Sequence, residues 1–336
     1  MRILVTGGTG YVGSHAVAAL LAAGHDVRLL VRRPEQVSRT YAPLGVDEPR
    51  DVVAGDVLDP AAVERAVEGC DAALHAAAVF STDPRRAEEM VRTNERATRL
   101  VLETAVTRGL DPVVHVSSTV ALTRRGGSGP DLPLGDIDMP YARSKIASER
   151  VARALQDQQA PVTTLYPGSV YGPHDPYLGD QATRLAWVVR GRFPLWPAGA
   201  SQVVDVRDVA ATALAVTQPA RGPRRYVVPG HHITGPELFA AVSAAIGRRR
   251  RCVTLPPSLA LASTGPIDAV QRRLPARWRF PADREGAEIL VRDTRLDDTP
   301  ARRELGIEPL PLLDSIRDTV AWLVDAGHLP ERYRPR

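Results

Sequence analysis

The 336-residue chain has two cysteines, one lysine, few aromatic residues and no long apolar run. Cys70 and Cys252 supply neither a disulfide framework nor the spacing of a metal site, so we expect no metal and a reducing, cytoplasmic compartment. No segment approaches the roughly 18 consecutive apolar residues of a membrane span, and the amino terminus lacks a signal-peptide core. We therefore expect no association with a membrane.

An excess of charge of one sign is also missing. The net charge is only +4, and the 43 basic residues are spread among 39 acidic ones, so no basic face predicts a nucleic-acid partner. The run "RRRR" at 248–251 is a local exception, which we interpret as a solvated loop, with an anionic partner as the alternative. The expected partner is a small-molecule substrate.

Short β-branched segments alternate with longer helical patterns through the first half of the chain. This alternation predicts βαβ units, and therefore a doubly wound α/β fold whose parallel sheet is covered by helices on both faces. Later the pattern loosens, although 202–218 has the pattern of a strand and a helix that return to the first unit. We predict a nucleotide-binding unit over 1–166 and 202–218, and a small mixed substrate-binding unit over 167–201 and 219–336.

A glycine-rich loop, "VTGGTGYVG", follows the first predicted strand and opens the first predicted helix. Gly8, Gly10 and Gly13 have GxGxxG spacing; TGxxGxxG spacing is shared by Thr6, Gly7, Gly10 and Gly13. Glycines are needed because the turn is tight, the backbone must approach a pyrophosphate, and the helix must pack close to the strand. The amino terminus of the helix then receives the phosphates. Within a βαβ unit, this loop predicts dinucleotide binding.

The choice of nucleotide depends on the end of the second strand, "DVRLLVRRP". An acidic residue there would bind the ribose hydroxyl of NAD, whereas an arginine accommodates the 2′-phosphate of NADP. Arg32 and Arg33 occupy this place, so NADP(H) is favoured over NAD(H); the alternative is two ordinary surface arginines. Asp56, in "GDVLD", is expected to accept a hydrogen bond from the adenine amino group, or else to cap a turn or a helix.

Lys145 is the only lysine among the 43 basic residues, and it follows Tyr141 by four positions in a helical pattern. The two side chains are therefore expected on one helix face, one turn apart. A compact ammonium can sit close to a phenol and a ribose, where a planar guanidinium cannot. Its charge is expected to lower the pKa of Tyr141 from about 10, which would make the phenol a general acid or base. Ser118, at the end of the strand "PVVHVSS", is expected to hydrogen-bond the substrate oxygen, or alternatively to cap the strand end.

Nearly the whole chain resembles the extended short-chain dehydrogenase/reductase (NAD-dependent epimerase/dehydratase) family, through "TGGTGYVG", "GDVLD", "LHAAA", "VSS", "YARSK" and "YPGSVYGP" in this order. The resemblance implies an enzyme of Rossmann type. It also implies a catalytic triad of Ser118, Tyr141 and Lys145, with Asn94 near the active site.

The resemblance further assigns residues around the cofactor and the substrate. The implied cofactor-binding residues are Thr6, Gly7, Gly10, Tyr11, Val12, Gly13, Arg32, Arg33, Asp56, Val57, Ala76, Ala77, Ala78, Tyr141, Lys145, Pro167, Gly168 and Val170. Substrate contacts are expected from Phe80, Thr119, Ser169 and Tyr177. Relatives often dimerise through two long helices, here 85–108 and 141–159, so we expect a homodimer.

Within the family, "VRLLVRRP" resembles the branch of dihydroflavonol reductases and 3β-hydroxysteroid dehydrogenases. Ser201 stands where sugar-nucleotide epimerases usually carry an arginine for the substrate diphosphate, and Tyr166 stands where arginine is more common. We therefore predict an NADP(H)-dependent oxidoreductase that reduces a ketone or aldehyde, or oxidises the alcohol, of a small apolar substrate. The alternatives are a nucleoside-diphosphate-sugar epimerase or dehydratase with tightly bound NAD, and a non-catalytic cofactor-sensing regulatory protein.

Overall fold

The computed structural model describes residues 1–80, 84–125, 131–192, 194–271 and 284–335; the remaining residues of the predicted units lie outside this description. The strands are β1 (Arg2–Thr6), β2 (Asp26–Val31), β3 (Asp51–Ala54), β4 (Ala72–His75), β5 (Val113–Val116), β6 (Val162–Tyr166), β7 (Ser169–Tyr171), β8 (Leu195–Pro197), β9 (Ala200–Asp205), β10 (Arg224–Val227), β11 (His231–Thr234) and β12 (Val253–Leu255). The helices are α1 (Tyr11–Ala22), α2 (Val37–Tyr41), α3 (Pro60–Val67), α4 (Ala87–Thr107), α5 (Pro140–Asp157), α6 (Asp180–Arg190), α7 (Val206–Ala215), α8 (Gly235–Ile246), α9 (Pro257–Gln271), α10 (Arg284–Arg292), α11 (Thr299–Leu305) and α12 (Leu312–Asp325).

The main sheet of the described chain has seven parallel strands in the order β10-β6-β5-β4-β1-β2-β3. Ile3 and Val5 of β1 join a core layer that includes Val17 of α1, whereas Leu4 joins the opposite layer with Val101 of α4. Because successive side chains of a strand point to opposite faces, apolar strands such as β1 need helices on both sides. The predicted doubly wound α/β fold is confirmed.

The helices are divided between the two faces of this sheet. On one face α1 packs against α7, and on the other α4 packs against α5. Strand β1 lies between β2 and β4, so the order of the strands reverses at β1. Open α/β sheets bind ligands at such a switch point, outside the carboxyl ends of the strands. The loops that follow β1 and β4 therefore mark the expected position of the site.

A second unit has its own small sheet and its own apolar core. Strand β9 pairs in parallel with β7 and antiparallel with β11, and α6, α8 and α12 pack around a core that includes Phe239 and Val320. Strands β8 and β12 form a parallel pair next to α9 and α10. Among the helices described, none combines the length and the apolar character that crossing a membrane requires.

The division between the two units differs from the prediction at two strands. Helix α7 returns to the main sheet as expected, but β9, which precedes it, belongs to the small sheet. Strand β10 was expected in the second unit, yet it extends the main sheet beside β6, where Tyr226 and Val227 are buried. A parallel strand needs a crossover connection, and α7 supplies it.

Candidate active site

The glycine-rich loop between β1 and α1 has no room for side chains at two of its positions. Gly7 has a φ of +76°, and a Cβ atom there would lie 2.5 Å from the backbone nitrogen of Ala77, at the end of β4. A Cβ atom on Gly13 would lie 2.1 Å from the carbonyl oxygen of Gly7. Gly10, at the helix cap, makes no side-chain capping bond to α1. The helix amino terminus is therefore available to phosphate oxygens, which fits a dinucleotide.

A cavity of about 400 Å³, which we call the nucleotide groove, lies outside the carboxyl ends of β1 to β4. It contains a large part of the predicted cofactor set, namely Gly7, Gly10, Arg32, Arg33, Asp56, Val57, Ala76, Ala77 and Ala78, and also the predicted catalytic residue Asn94. Asp56 faces the groove and also closes a turn, because its Oδ1 atom accepts a hydrogen bond from the backbone nitrogen of Leu58 at 2.9 Å. Both sequence interpretations of Asp56 are therefore compatible with its position.

Arg32 and Arg33 lie on the exposed rim of the nucleotide groove, directly after β2. In the part of the chain that the structure describes, neither guanidinium forms an ion pair with an acidic side chain. Arginine presents a rigid fork of donors that matches a phosphate group. The two side chains can therefore bind an anion at this rim.

A second cavity of about 550 Å³, the reactive cavity, adjoins the nucleotide groove and shares Gly7, Gly10, Ala76, Ala78 and Tyr177 with it. It brings together further predicted residues of the cofactor, catalytic and substrate sets, namely Tyr11, Val12, Gly13, Phe80, Ser118, Thr119, Tyr141, Gly168, Ser169 and Val170. Tyr177 is 62% exposed, so it stands at the mouth of the two cavities. One continuous cleft is long enough to serve both a nucleotide and a substrate.

Tyr141 and Ser118 line this cleft, and Lys145 is buried next to Tyr141. Tyr141 is in the first turn of α5, and its hydroxyl is hydrogen-bonded to Ser118. Lys145 follows one turn later, with its Nζ atom 6.0 Å from the centre of the Tyr141 ring. The ring of Phe80 packs edge-on against Tyr141, with 5.1 Å between the ring centres and 89° between the ring planes. The helical spacing thus places the phenol and the ammonium as predicted.

The pKa of Tyr141 is shifted in the direction opposite to the prediction. Burial raises it to about 12, the bond from Ser118 opposes this shift, and the carboxylate of Glu285 adds to it. Burial also lowers the pKa of Lys145 to about 8, although Glu149 opposes that shift. The expected lowering was wrong because removal of water from the phenol outweighs the attraction of an ammonium at this distance. At neutral pH both side chains are protonated.

Tyr166, the departure from the family pattern, has a partner beneath Lys145. Its hydroxyl donates a 2.5 Å hydrogen bond to Oε1 of Glu149, which also accepts from Nε of Arg153 at 2.9 Å. Glu149 is fully buried and follows Lys145 by one turn of α5. A buried carboxylate needs such partners, and Arg153 supplies from the helix the positive charge that Tyr166 cannot.

Asn94 lines the nucleotide groove and holds two segments of the site together through its side-chain amide. Its Oδ1 atom accepts a hydrogen bond from the backbone nitrogen of Val79 at 2.7 Å, and its Nδ2 atom donates to the Val79 carbonyl at 2.8 Å. Nδ2 also donates to Oγ of Ser144 at 2.6 Å, next to Lys145 in α5. With these bonds, the Asn94 amide connects the loop after β4 to α5.

Three residues of the predicted cofactor set lie behind the cavity walls. Thr6 is fully buried, and its hydroxyl is 2.7 Å from Nδ1 of His75. Pro167 is also buried, and its carbonyl accepts a 3.0 Å hydrogen bond from the backbone nitrogen of Thr119. Lys145 is buried beside Tyr141 and is absent from both cavity linings. Thr6 and Pro167 therefore support the walls, and the contact with a cofactor expected of all three residues stays a prediction.

Glu285 of α10 is a site residue that the sequence did not reveal. Its carboxylate accepts hydrogen bonds from the backbone nitrogens of Tyr141, at 3.2 Å, and Ala142, at 2.6 Å. It thereby caps the amino terminus of α5 while also lining the reactive cavity. Glu285 is 144 positions from Tyr141 in the chain and belongs to no motif, so only the three-dimensional structure shows this contact.

Comparison with known proteins agrees with this geometry. A family model described as the NAD dependent epimerase/dehydratase family matches residues 3–228. The chain belongs to this family. The match includes the glycine-rich loop, helix α5 and both arginines of the groove rim, so the resemblance that the sequence motifs indicated is confirmed. Proteins of this family bind a nicotinamide dinucleotide, and the family is enzymatic.

Individual relatives span nearly the same length. Sterol demethylase protein B of Methylococcus capsulatus is 30% identical over 332 residues, which cover 97% of this chain and 99% of that protein. A putative dihydroflavonol 4-reductase of Synechocystis sp. is 28% identical over 338 residues, covering 97% of this chain and 95% of that protein. Among solved structures, that of gox2253 has a TM-score of 0.80 and 25% identity, covering 98% and 99% of the two chains.

Proposed function

We propose that this protein is an NADP(H)-dependent carbonyl reductase that acts on an apolar ketone or aldehyde. The observation that carries the proposal is the grouping of Tyr141 with Ser118 and Lys145 at the reactive cavity. Because the pKa of Tyr141 is raised to about 12, its phenol holds a proton at neutral pH, as a general acid requires. That protonation state is the one from which a general acid acts in the reduction of a carbonyl group.

The roles of the three side chains follow from their chemistry. A bound nicotinamide supplies the hydride that the carbonyl carbon accepts. The hydroxyl of Ser118 donates a hydrogen bond to the carbonyl oxygen and orients it. Tyr141 transfers its phenolic proton to the same oxygen, so that the product is the alcohol. The ammonium of Lys145 then stabilises the phenolate until solvent returns the proton.

The rim of the nucleotide groove supports NADP(H) over NAD(H). Arg32 and Arg33 follow β2, where the adenosine ribose of a dinucleotide is held in this type of fold. A 2′-phosphate would receive charge-assisted hydrogen bonds from them, whereas the 2′-hydroxyl of NAD would not. Among the described residues, no acidic side chain pairs with either guanidinium, so both can make such bonds.

The charges around the reactive cavity disfavour a sugar nucleotide. Asp175, Asp180 and Glu285 line it, whereas Arg184 is the only arginine or lysine among its described lining residues. Ser201 also lines it, at the position where epimerases of the family usually carry an arginine. A diphosphate would therefore meet more negative than positive charge. The relatives named for sterol demethylation and for dihydroflavonol reduction point in the same direction.

The test is ketone-dependent oxidation of NADPH by the wild type and by Tyr141→Phe. The variant keeps the ring but loses the acidic proton, so we expect kcat to fall by about 10²- to 10⁴-fold while NADPH binding, measured by fluorescence titration, is unchanged. Tyr333→Phe is the matched control, because Tyr333 lies near the carboxyl terminus and lines neither cavity. Turnover retained by Tyr141→Phe would overturn the assignment.

A further inference from the structure

A third cavity, the apolar chamber, lies in the second unit between the β8/β12 pair and helices α9 and α10. Its volume is about 290 Å³. The side chains that form its walls are almost all hydrocarbon, among them Leu195, Leu255, Leu259, Ala260 and Ile267. The proposed chemistry at Tyr141 makes no use of this space.

The few hydroxyl groups on the wall of the apolar chamber are engaged elsewhere. Ser263 donates its hydroxyl to the carbonyl of Ala260 at 2.8 Å, and Thr264 donates to the carbonyl of Leu261 at 2.7 Å. Both bonds turn a polar group back onto the backbone of α9. The chamber therefore offers a ligand apolar contacts and few hydrogen bonds, and it suits hydrocarbon better than a sugar or a phosphate.

The apolar chamber adjoins the reactive cavity. The two cavities share Arg184, Trp196, Gly286 and Leu290, so a single ligand can contact both. Trp196 is held firmly in this common wall by Phe239, whose ring lies 5.7 Å away at 78°. Helix α10 faces both spaces, since Glu285 lines the reactive cavity and Ala287 lines the chamber.

We propose that the apolar chamber holds a long hydrocarbon part of the substrate while its carbonyl group lies at Tyr141. This inference rests on the proposed reductase function and specifies its substrate class, a ketone or aldehyde attached to an extended alkyl, isoprenoid or fused-ring body. Together the reactive cavity, about 550 Å³, and the chamber, about 290 Å³, have the size of a site that encloses such a molecule. A short ketone fills only the first.

The experiment compares straight-chain methyl ketones of increasing length, from butanone to dodecanone, as substrates with NADPH. Each methylene that enters the chamber leaves water, so kcat/KM should rise by about three- to fourfold per added methylene once the chain reaches Trp196. The rise should stop when the chamber is full. A profile in which length has no effect on kcat/KM would overturn the proposal.

Two variants locate the effect within the chamber. Ser263→Phe fills part of the space, and Leu259→Asp places a charge at the rim, where Leu259 is 53% exposed and tolerates change. In each variant we expect the ratio of kcat/KM for dodecanone to that for butanone to fall by about tenfold or more. Ala262→Asp is the control, because Ala262 is an exposed residue of the same helix that does not line the chamber. An equal loss in Ala262→Asp would contradict a role for the chamber.

A binding measurement separates this proposal from the reductase function. Dodecanone is titrated into the wild type, Leu259→Asp and Ala262→Asp by calorimetry, without NADPH. One outcome is that Leu259→Asp alone weakens dodecanone binding and that no ketone is turned over. This outcome would support the chamber as a binding site and contradict the reductase function. The opposite outcome is that short and long ketones are turned over with equal kcat/KM and that all three proteins bind dodecanone equally. This outcome would support the reductase function and contradict the role of the chamber.

Discussion

The nucleotide groove and the reactive cavity adjoin each other but are built in different ways. Most of the groove comes from the first hundred residues, and at Gly7 and Ala77 two segments of backbone lie in close contact. The reactive cavity is built from side chains of widely separated segments, including Tyr141, Trp196 and Glu285. The groove thus depends on close backbone contacts, whereas the reactive cavity depends on side chains from distant segments.

Gly13→Ala is expected to have the largest effect, because it breaks the backbone geometry of the groove. The new Cβ atom would lie 2.1 Å from the Gly7 carbonyl oxygen, so the loop must move away from the helix. Loss of two or more charge-assisted hydrogen bonds to the pyrophosphate should weaken NADPH binding by about 100-fold or more. Fluorescence titration measures this affinity.

Gly265→Ala is the control for that substitution, since a Cβ atom on Gly265 would meet no atom within 4 Å. It should leave NADPH affinity unchanged. If the Gly13→Ala variant bound NADPH as tightly as the wild type, NADPH binding would not depend on the close backbone contact at Gly13. The structural difference between the groove and the reactive cavity would then have no effect on binding.

The double variant Arg32→Ser, Arg33→Ser should have the next largest effect on NADPH affinity, because it removes the two arginines that are proposed to bind the 2′-phosphate. Loss of the charge-assisted bonds to the 2′-phosphate should weaken NADPH binding by about 10- to 100-fold. NADH binding should stay the same, because NADH lacks that phosphate. Arg39→Ser, at an exposed residue nearby that does not line the groove, should change neither affinity. Equal losses for both nucleotides would assign the arginines a structural role instead.

The pH dependence of ketone reduction tests the roles of Tyr141 and Lys145, and it should show the smallest effect. The pKa of Lys145 is lowered to about 8 and that of Tyr141 is raised to about 12, so below about pH 8 both groups hold their protons. Above that value Lys145 loses its charge while Tyr141 stays protonated. We expect kcat/KM to be constant at lower pH and, one pH unit above about 8, to have fallen to about a tenth of that constant value.

Lys145→Arg is the matched variant for this profile. It should be slower at every pH, because the guanidinium fits poorly beside the phenol, and the decline above about pH 8 should disappear, because arginine stays charged. A wild-type rate that increased through this pH range would show that a deprotonated group drives the reaction.

The groove and the Tyr141/Lys145 pair were predictable from the sequence because their requirements are local. The glycine spacing, the arginines after β2 and the Tyr141/Lys145 pair each occupy a few consecutive residues, and helical or strand periodicity fixes their geometry. The main sheet followed from the same alternation. Strand β10 was missed because its neighbour β6 lies about 60 positions earlier in the chain.

The part of the reactive cavity formed by the second unit, and the apolar chamber, were not predictable, because they depend on how distant segments pack. No pattern links Glu285 to the amino terminus of α5, or Trp196 to the wall between two cavities. The direction of the Tyr141 pKa shift was wrong for the same reason. A sequence shows that a lysine is near, but not how completely water is excluded from the phenol.

The most direct test of the central claim is to identify the nucleotide that the purified protein carries. The protein is denatured, any released nucleotide is identified by mass spectrometry, and the emptied protein is titrated with NADPH and with NADH. An exchanging reductase predicts little retained nucleotide and tighter binding of NADPH than of NADH. Tightly held NAD near one per chain would contradict it, because a cofactor recycled in place belongs to an epimerase or dehydratase.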